Sequence, residues 1–277
     1  MMIDDHTLLF GIVGYRLGHT LSPVMHNAAF SASGINAVYL AFETHDIKGC
    51  LMGMKALGIR GLSVTIPYKS ALMPFLDEVR GVAQRIGAVN TIVNEDGRLI
   101  GYNTDGVGVL KALESVVPHN RKTCLILGAG GAARAIAYVL KEMDMDVTIV
   151  NRSPQSGKDL ADSLGCSYAS LENLGEKDAD LLIHATPVGM YPHATQCLVP
   201  ESILKREMIV MDTVYNPPQT RLLELAKSRG CRTVGGLAML IHQGAEQFRL
   251  WTGKNPPIKV MENAVTGNLA HPTDERD

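Results

Sequence analysis

Three glycines within four residues are the first feature whose spacing indicates a chemistry. Residues 128–131 read GAGG, directly after the apolar run 123–127 and directly before the segment 132–143, which has helical periodicity. In this order the first glycine permits a tight turn, the second lets the backbone approach a pyrophosphate, and the helix N-terminus offers N–H donors. The spacing therefore predicts a dinucleotide-binding turn made of Gly128, Ala129, Gly130, Gly131 and Ala132.

The residues about 20 positions further on indicate which dinucleotide would bind, because an NAD site places Asp or Glu there to accept from the ribose 2′-hydroxyl. This chain has Asn151, Arg152 and Ser153 at that point. With no carboxylate to repel it, a 2′-phosphate would be bound by the planar donors of Arg152. These three residues therefore favour NADP over NAD, and a solvated surface arginine without a ligand is the alternative.

Small polar residues next to Gly or Pro are concentrated in four segments of the first hundred residues, 19–23, 63–69, 87–91 and 103–106. Each follows a predicted strand or begins a predicted helix. Ligands of open α/β sheets bind outside the carboxyl ends of the strands, so these hydroxyls and amides, one lysine and one aspartate could converge there. Such a pocket suits a small polyhydroxylated molecule, although each segment taken alone is equally typical of a helix cap or a turn.

Short apolar runs that alternate with helical segments must position these residues. This alternation predicts an α/β fold with largely parallel sheets. A connecting helix predicted over 107–117 places the main boundary near Gly106. We therefore expect two domains, an N-terminal, mostly parallel α/β substrate lobe and a Rossmann-like NADP-binding lobe. The strands are predicted at 8–13, 37–42, 61–66, 123–127, 147–150, 181–185 and 208–212.

The predicted domain bounds follow from these elements. The substrate lobe spans 1–106 and is completed by C-terminal helices within 237–265. The Rossmann-like lobe spans 107–236. The polar segment 266–277 is expected to be a mobile tail.

Composition excludes several classes of function. The 277 residues exceed what one core usually supports, and a net charge of -2 gives no basic excess for nucleic acid. The five cysteines are scattered without a CxxC pair, which argues against disulfides and zinc and favours a reducing cytoplasm. The first residues are acidic and no run approaches the roughly 18 apolar residues of a membrane span, so we expect neither a secretory signal nor a membrane partner. A monomer and a homodimer both fit the sequence.

Six or seven ordered motifs resemble those of the shikimate dehydrogenase family, over roughly residues 8–265. The polar segments resemble its motifs HSxSP, NVTxPxK, GAxNT and NTDG, in that order, and the glycine turn GAGGAARA continues the match. The segments 212–217 (DTVYNP) and 236–243 (GLAMLIHQ) complete it. The resemblance implies reversible, NADPH-dependent reduction of 3-dehydroshikimate to shikimate, a step of aromatic amino-acid biosynthesis.

The resemblance also implies roles for individual residues. Lys69 and Asp105 match the family's catalytic pair, and an ammonium can stabilise and protonate the oxygen that becomes alkoxide-like as the carbonyl accepts hydride. Gly236 and Met239 match positions where the backbone meets the nicotinamide end of the cofactor. The substrate carboxylate would be held by Thr20 and Ser22 with help from Tyr215, and the ring hydroxyls would be read by Thr65, Asn90, Asp105 and Gln243.

Several positions depart from the family pattern. Thr20 replaces a serine, and Ser63 stands where asparagine is usual, so a looser pocket wall leaves quinate open as a substrate. Ser156 occupies a slot that often holds a second basic residue, with Lys158 as a candidate substitute. His184 replaces an asparagine, and we interpret it as a strand-end residue near the cofactor, not as a metal ligand, because no second ligand stands at the required spacing.

Two alternatives remain at this point. A quinate or mixed quinate/shikimate dehydrogenase, using NADP or NAD, fits the same motifs. A metabolite sensor of the same fold that binds without turnover is the other alternative, although a sensor has no need to keep both Lys69 and Asp105.

Overall fold

The computed structural model describes residues 3–15, 17–18, 20–118 and 122–270. The chain divides into two compact units, Met1–Thr104 together with Ile241–Asp277, and Asp105–Leu240. We call them the first unit and the second unit. No helix in the described part of the chain is both long enough and apolar enough to cross a membrane.

The first unit contains a six-stranded mixed sheet with helices packed against it. Its strands are β1 (Leu8–Gly14), β2 (Ala37–Glu43), β3 (Gly61–Val64), β4 (Glu78–Val79), β5 (Thr91–Glu95) and β6 (Arg98–Tyr102). Its helices are α1 (Ser22–Ala32), α2 (Ile47–Ala56), α3 (Tyr68–Ala71), α4 (Val82–Ile86) and α10 (Ile258–Ala270), with a 3-10 turn at Met73–Phe75.

The strand order in this sheet is β2-β1-β3-β5-β6-β4. β1 pairs in parallel with β2 and β3, as the βαβ pattern predicts, whereas β5 runs antiparallel to both β3 and β6. A hydrophobic cluster of buried residues, which includes Val13, Leu62 and Val64, packs against this sheet. Because β1 and β3 are parallel, their carboxyl ends lie at the same edge of the sheet, and the residues that follow the two strands can meet there.

The second unit contains a six-stranded, fully parallel sheet. Its strands are β7 (Thr123–Leu127), β8 (Asp146–Asn151), β9 (Ser167–Ser170), β10 (Leu181–His184), β11 (Ile209–Asp212) and β12 (Arg232–Val234). Its helices are α5 (Asp105–Leu113), α6 (Gly131–Glu142), α7 (Pro154–Leu164) and α8 (Arg221–Ser228), with 3-10 turns at Leu171–Glu176 and Glu201–Ile203.

The order β12-β11-β10-β7-β8-β9 reverses direction between β7 and β10. This is the doubly wound order of dinucleotide-binding domains, in which ligands bind at the carboxyl ends of the strands beside the point of reversal. β7 is buried almost throughout and leads directly into the glycine turn, as predicted. The α/β fold class with a Rossmann-like second lobe is confirmed.

Helix α9 (Gly236–Thr252) begins in the second unit and continues into the first after Leu240. Helix α10 then extends to Ala270. The tail predicted to be mobile from residue 266 begins within this helix, which includes 266–270, and 271–277 lie outside the described residues.

Helix α1 buries a histidine that the sequence did not single out. His26 is fully buried and stacks on Tyr39, with 4.5 Å between the ring centroids. Among the described residues neither ring nitrogen of His26 has a hydrogen-bond partner. Burial lowers the pKa of His26 from 6.5 to about 3, since the charged ring would lose its hydration, and the nearby Gln247 amide offsets only part of this shift.

This histidine predicts an acid-sensitive stability. The unfolded chain binds a proton on His26 below about pH 6.5 while the folded chain does not, so the free energy of unfolding falls as pH drops towards 3, by up to about 1.4 kcal/mol per pH unit. Denaturant titrations at pH 7 and pH 5 should compare the free energies of unfolding of His26→Phe and of the parent. Between pH 7 and pH 5 the difference should shift by about 2 kcal/mol in favour of the variant. A gap that stays constant with pH would contradict this account.

Candidate active site

Thr65 and Lys69 lie in the segment that follows β3. The Thr65 amide donates to the Val13 carbonyl, N to O 3.0 Å, which holds Thr65 at the shared strand end. Lys69 follows in the short helix α3, and its backbone carbonyl accepts from the Val89 amide at 2.7 Å. This bond attaches the lysine-bearing turn to the segment that carries Asn90.

The predicted carboxylate-binding pair lies where the chain enters α1. Ser22 is the first residue of α1 and is buried, and its amide donates to the Thr20 hydroxyl oxygen at 3.3 Å. The structure therefore brings the two hydroxyl-bearing residues together in one turn. His19 and Arg16, which belong to the same motif region, lie outside the described residues.

Asn90 and Gln243 are also brought together. The Asn90 side chain is 1% exposed, and its Oδ1 accepts from the Thr104 amide at 2.8 Å. Because a backbone N–H can only donate, the atom facing it must be the amide oxygen. Asn90 Nδ2 therefore points the other way, where it donates to Thr104 Oγ1 at 2.9 Å and to Gln243 Oε1 at 3.2 Å.

Asp105 and Tyr215 belong to the second unit. Asp105 is the first residue of α5, directly after Thr104 in the chain, and only 3% of it is exposed. Tyr215 is half-buried in the loop after β11. The hydrogen bond from the Thr104 amide to Asn90 Oδ1 holds the residue that directly precedes Asp105, which is the last residue of the first unit before α5.

The glycine turn has the geometry that its spacing predicts. Gly128 has φ +117° and a Cβ there would lie 2.8 Å from the Ala185 carbonyl oxygen, so only glycine fits. A Cβ at Gly130, in contrast, would meet no described atom within 4 Å. The N-terminus of α6 carries no side-chain cap among the described residues. Open backbone and uncapped N–H donors fit a pyrophosphate.

The end of β8 has the chemistry expected for a 2′-phosphate. Arg152 is exposed, and no hydrogen bond or ion pair of its guanidinium occurs within the described ranges. Asn151 Nδ2 donates to the Ser153 carbonyl at 3.0 Å and to Ser156 Oγ at 2.9 Å, which shapes the turn. Lys158 Nζ lies over the Tyr168 ring, 5.9 Å from its centroid.

The two residues predicted for the nicotinamide end lie at the start of α9. A Cβ at Gly236 would be 2.4 Å from the Thr213 carbonyl oxygen, so close helix packing against the loop after β11 requires glycine there. Met239, one turn on, is buried.

A buried polar network lies at the ends of β10 and β11, and the sequence pattern did not predict that its members contact one another. His184 and Asp212 are register partners, and His184 Nδ1 lies 2.9 Å from Asp212 Oδ1. Since a carboxylate only accepts, the His184 nitrogen that faces Asp212 is the donor, and His184 Nε2 lies within hydrogen-bond distance of the Thr186 hydroxyl. The loop so fixed, Ala185 and Thr186, is the one that packs against Gly128.

Family models match most of the chain. Residues 12–92 match the shikimate dehydrogenase substrate binding domain, residues 111–213 match shikimate / quinate 5-dehydrogenase, and residues 236–266 match the shikimate 5'-dehydrogenase C-terminal domain. A shikimate dehydrogenase (NADP(+)) of Thermococcus kodakarensis is 49% identical over 97% of this chain and 100% of its own length. The chain belongs to the shikimate dehydrogenase family.

Solved structures agree with this assignment. A shikimate dehydrogenase crystallised with NADP+ superposes with a TM-score of 0.91 at 43% identity, covering 97% of this chain and 98% of its own. The shikimate 5-dehydrogenase of Thermus thermophilus, in complex with NADP(H) and shikimate, gives a TM-score of 0.86 at 40% identity, covering 94% and 99%. Family membership thus extends over both units of this chain.

Proposed function

We propose that this chain catalyses the reversible, NADPH-dependent reduction of 3-dehydroshikimate to shikimate in aromatic amino-acid biosynthesis. The family membership supports the reaction class. The observation that carries the proposal is the bond from the Val89 amide to the Lys69 carbonyl, which joins the candidate proton donor to the segment bearing the candidate hydroxyl-reading Asn90. A backbone hydrogen bond thus joins the two segments that carry these functions.

Lys69 is the proposed proton donor and acceptor. In the reduction, its ammonium stabilises the negative charge that grows on the substrate carbonyl oxygen and then protonates that oxygen. In the oxidation, the neutral amine takes the hydroxyl proton back. Asp105 is the proposed partner that orients the lysine and accepts from a substrate hydroxyl.

The remaining polar residues would position the substrate. Thr20 and Ser22, two residues apart in one turn, hold the carboxylate with Tyr215, while Thr65, Asn90 and Gln243 read ring hydroxyls. A site built on buried hydrogen bonds rejects an analogue that lacks a hydroxyl, because its own polar groups are then left unpaired. Selectivity for a polyhydroxylated ring follows from this arrangement.

The second unit would hold NADP through residues that fit it. The open backbone at Gly130 and the N–H groups of Gly131 and Ala132 receive the pyrophosphate, after the turn at Gly128 and Ala129. Asn151, Arg152 and Ser153 bind the 2′-phosphate side, and Gly236 and Met239 the nicotinamide end. When bound, the nicotinamide supplies or accepts the hydride.

Arg152 should set the cofactor preference. Arg152→Ala is expected to raise KM for NADP about 10- to 100-fold, since a charge-assisted pair with phosphate contributes about 1.5–3 kcal/mol. KM for NAD, which has no 2′-phosphate, should hardly change, so the same variant provides its own control. Equal losses with both cofactors would remove Arg152 from the phosphate site, and a loss confined to Lys158→Ala would assign the role to Lys158.

Steady-state kinetics with shikimate and quinate against NADP and NAD tests the proposed function. We expect shikimate with NADP to give the highest kcat/KM of the four combinations. A higher kcat/KM with quinate would establish the quinate dehydrogenase alternative. Binding of shikimate without turnover under any combination would establish the sensor.

We also propose that the chain works in the cytoplasm. Its five cysteines are free thiols, four of them partly exposed, and such thiols persist in a reducing compartment.

A further inference from the structure

A chain of hydrogen bonds leads from the core of the first unit to Asn90. Tyr39 Oη lies 2.6 Å from Ser63 Oγ, and Ser63 Oγ lies 2.8 Å from Gln247 Oε1. At its other end Gln247 Nε2 contacts the Asn90 carbonyl at 3.1 Å and Thr91 Oγ1 at 3.0 Å. Gln247 is 1% exposed and belongs to α9. No role was expected for it from the motifs.

One carbonyl group determines which atom donates and which accepts in each hydrogen bond of this series. The Asn90 carbonyl can only accept, so the amide end that faces it must be Gln247 Nε2. Gln247 Oε1 therefore faces Ser63, whose hydroxyl must donate to it. With its only proton committed, Ser63 can accept from Tyr39 but cannot donate to it.

The same series of hydrogen bonds adds a restraint to the side chain of Asn90, which the Thr104 amide already orients. Thr91 Oγ1 accepts from Gln247 Nε2, and its own proton is directed to Asn90 Oδ1 at 2.7 Å, which is nearer than Thr104 Oγ1 at 3.4 Å. Asn90 Oδ1 then accepts from the Thr91 hydroxyl as well as from the Thr104 amide, and the Thr104 hydroxyl lies 3.3 Å away. This commits Asn90 Nδ2 to the side of Gln243, whose Oε1 must face it at 3.2 Å. The donor end of the Gln243 amide is thereby the end directed away from Asn90.

We propose that Gln247 is a positioning residue for substrate recognition. By directing the Thr91 hydroxyl to Asn90 Oδ1, it adds a second restraint to the one from the Thr104 amide and so helps to hold Asn90, and through it the amide of Gln243, in the orientation that turns the Gln243 N–H groups towards a substrate hydroxyl oxygen. Gln247 itself touches no substrate. The inference deepens the proposed function and rests on it, because it assumes that Asn90 and Gln243 read ring hydroxyls.

This network also revises the expectation for Ser63. The family's usual asparagine is replaced here by a shorter residue, which suggested a looser pocket wall. Ser63 is instead 5% exposed, and both Tyr39 and Gln247 lie within hydrogen-bond distance of its hydroxyl. Ser63 thus links Tyr39 and Gln247 within this buried series of hydrogen bonds.

Gln247→Met tests the proposal, because methionine keeps the length and the apolar packing of glutamine while removing both ends of its amide. We expect KM for shikimate to rise about 5- to 30-fold, the effect of losing one or two buried hydrogen bonds, with kcat within about threefold of the parent. KM for NADP should not change. Ser63→Ala, one bond further from Asn90, should give a smaller rise, and Tyr39→Phe the smallest.

Trp251→Phe is the matched control. Trp251 lies one helical turn after Gln247 on α9, and its Nε1 donates to the Ile92 carbonyl of β5 at 3.0 Å. The variant removes a bond between the same helix and the same strand without touching Thr91 or Asn90. It should lower the melting temperature and leave KM for shikimate unchanged. A purely structural role for Gln247 would make the two variants behave alike and would overturn the proposal.

A second variant covers the case in which Gln247→Met does not fold. Gln247→Glu keeps the acceptor for Ser63 but offers Thr91 an oxygen, which draws the Thr91 proton away from Asn90. The same selective rise in KM for shikimate is expected, and an unchanged KM would overturn the proposal. Asn90→Ala is measured alongside: no effect on KM there would refute the proposed substrate site itself, whereas an effect there without one at Gln247 would refute only this inference.

Discussion

Lys69→Ala is expected to lower kcat about 10²- to 10⁴-fold with a much smaller change in KM for shikimate, as the loss of a general acid should. The alanine removes the ammonium that stabilises and protonates the reacting oxygen. The bond from Val89 to the Lys69 carbonyl involves only backbone, so the turn that carries residue 69 keeps its anchor. Continuous absorbance of the reduced cofactor would measure the loss.

Lys48→Ala provides the control for this variant. Lys48 is an exposed residue of α2 in the same unit, so its removal changes the net charge equally without touching the predicted site. It should retain parent kcat and KM. If Lys69→Ala instead raised KM and left kcat intact, Lys69 would be a binding residue, and the proton donor would have to be sought elsewhere.

Gly130→Ala is expected to raise KM for NADP about 10- to 100-fold, because a methyl group forced against the pyrophosphate costs about 1–3 kcal/mol. The cofactor-free protein should tolerate the Gly130→Ala substitution. A Cβ at this position meets no described atom within 4 Å, and φ of -80° is ordinary for alanine. The free energy of unfolding should stay within about 1 kcal/mol of the parent value.

Gly128→Ala separates cofactor binding from folding. Here φ is +117° and the added Cβ would lie 2.8 Å from the Ala185 carbonyl oxygen, so the folded chain itself is strained. We expect this variant to lose about 1–3 kcal/mol of stability along with cofactor binding. Thermal melts and cofactor titrations on both variants would test the distinction. A Gly130→Ala variant that binds NADP normally would remove Gly130 from the pyrophosphate site, and a destabilised one would contradict the open space around its Cβ.

The parallel parts of the fold were predictable because each strand is a short apolar run followed by a helical segment. The hairpin of β5 and β6 was not, since Thr91–Glu95 and Arg98–Tyr102 lie between two segments that drew attention as polar motifs. The turn Asp96-Gly97 between them is a hairpin signal that a search for alternating strands would have found. β4, with two residues, has too short a pattern to recognise.

The polar networks were harder to predict than the motifs, because their members are far apart in the chain. His184 and Asp212 each end a predicted strand, and only the register of the sheet makes them partners. Gln247 follows Gln243 by four residues, so both lie on one face of α9, and this spacing was the available signal. Its partners on β3 and β5 depend on antiparallel pairing that the sequence did not reveal.

We propose that this chain transfers a hydride between shikimate and NADP. The most direct test is to incubate the purified chain with NADP+ and shikimate that carries deuterium on the carbon bearing the oxidised hydroxyl, and to analyse both products by mass spectrometry. We predict that the reduced cofactor carries the deuterium and that 3-dehydroshikimate has lost it. Reduced cofactor without the label, or no reduction of NADP+ at all, would contradict the assignment.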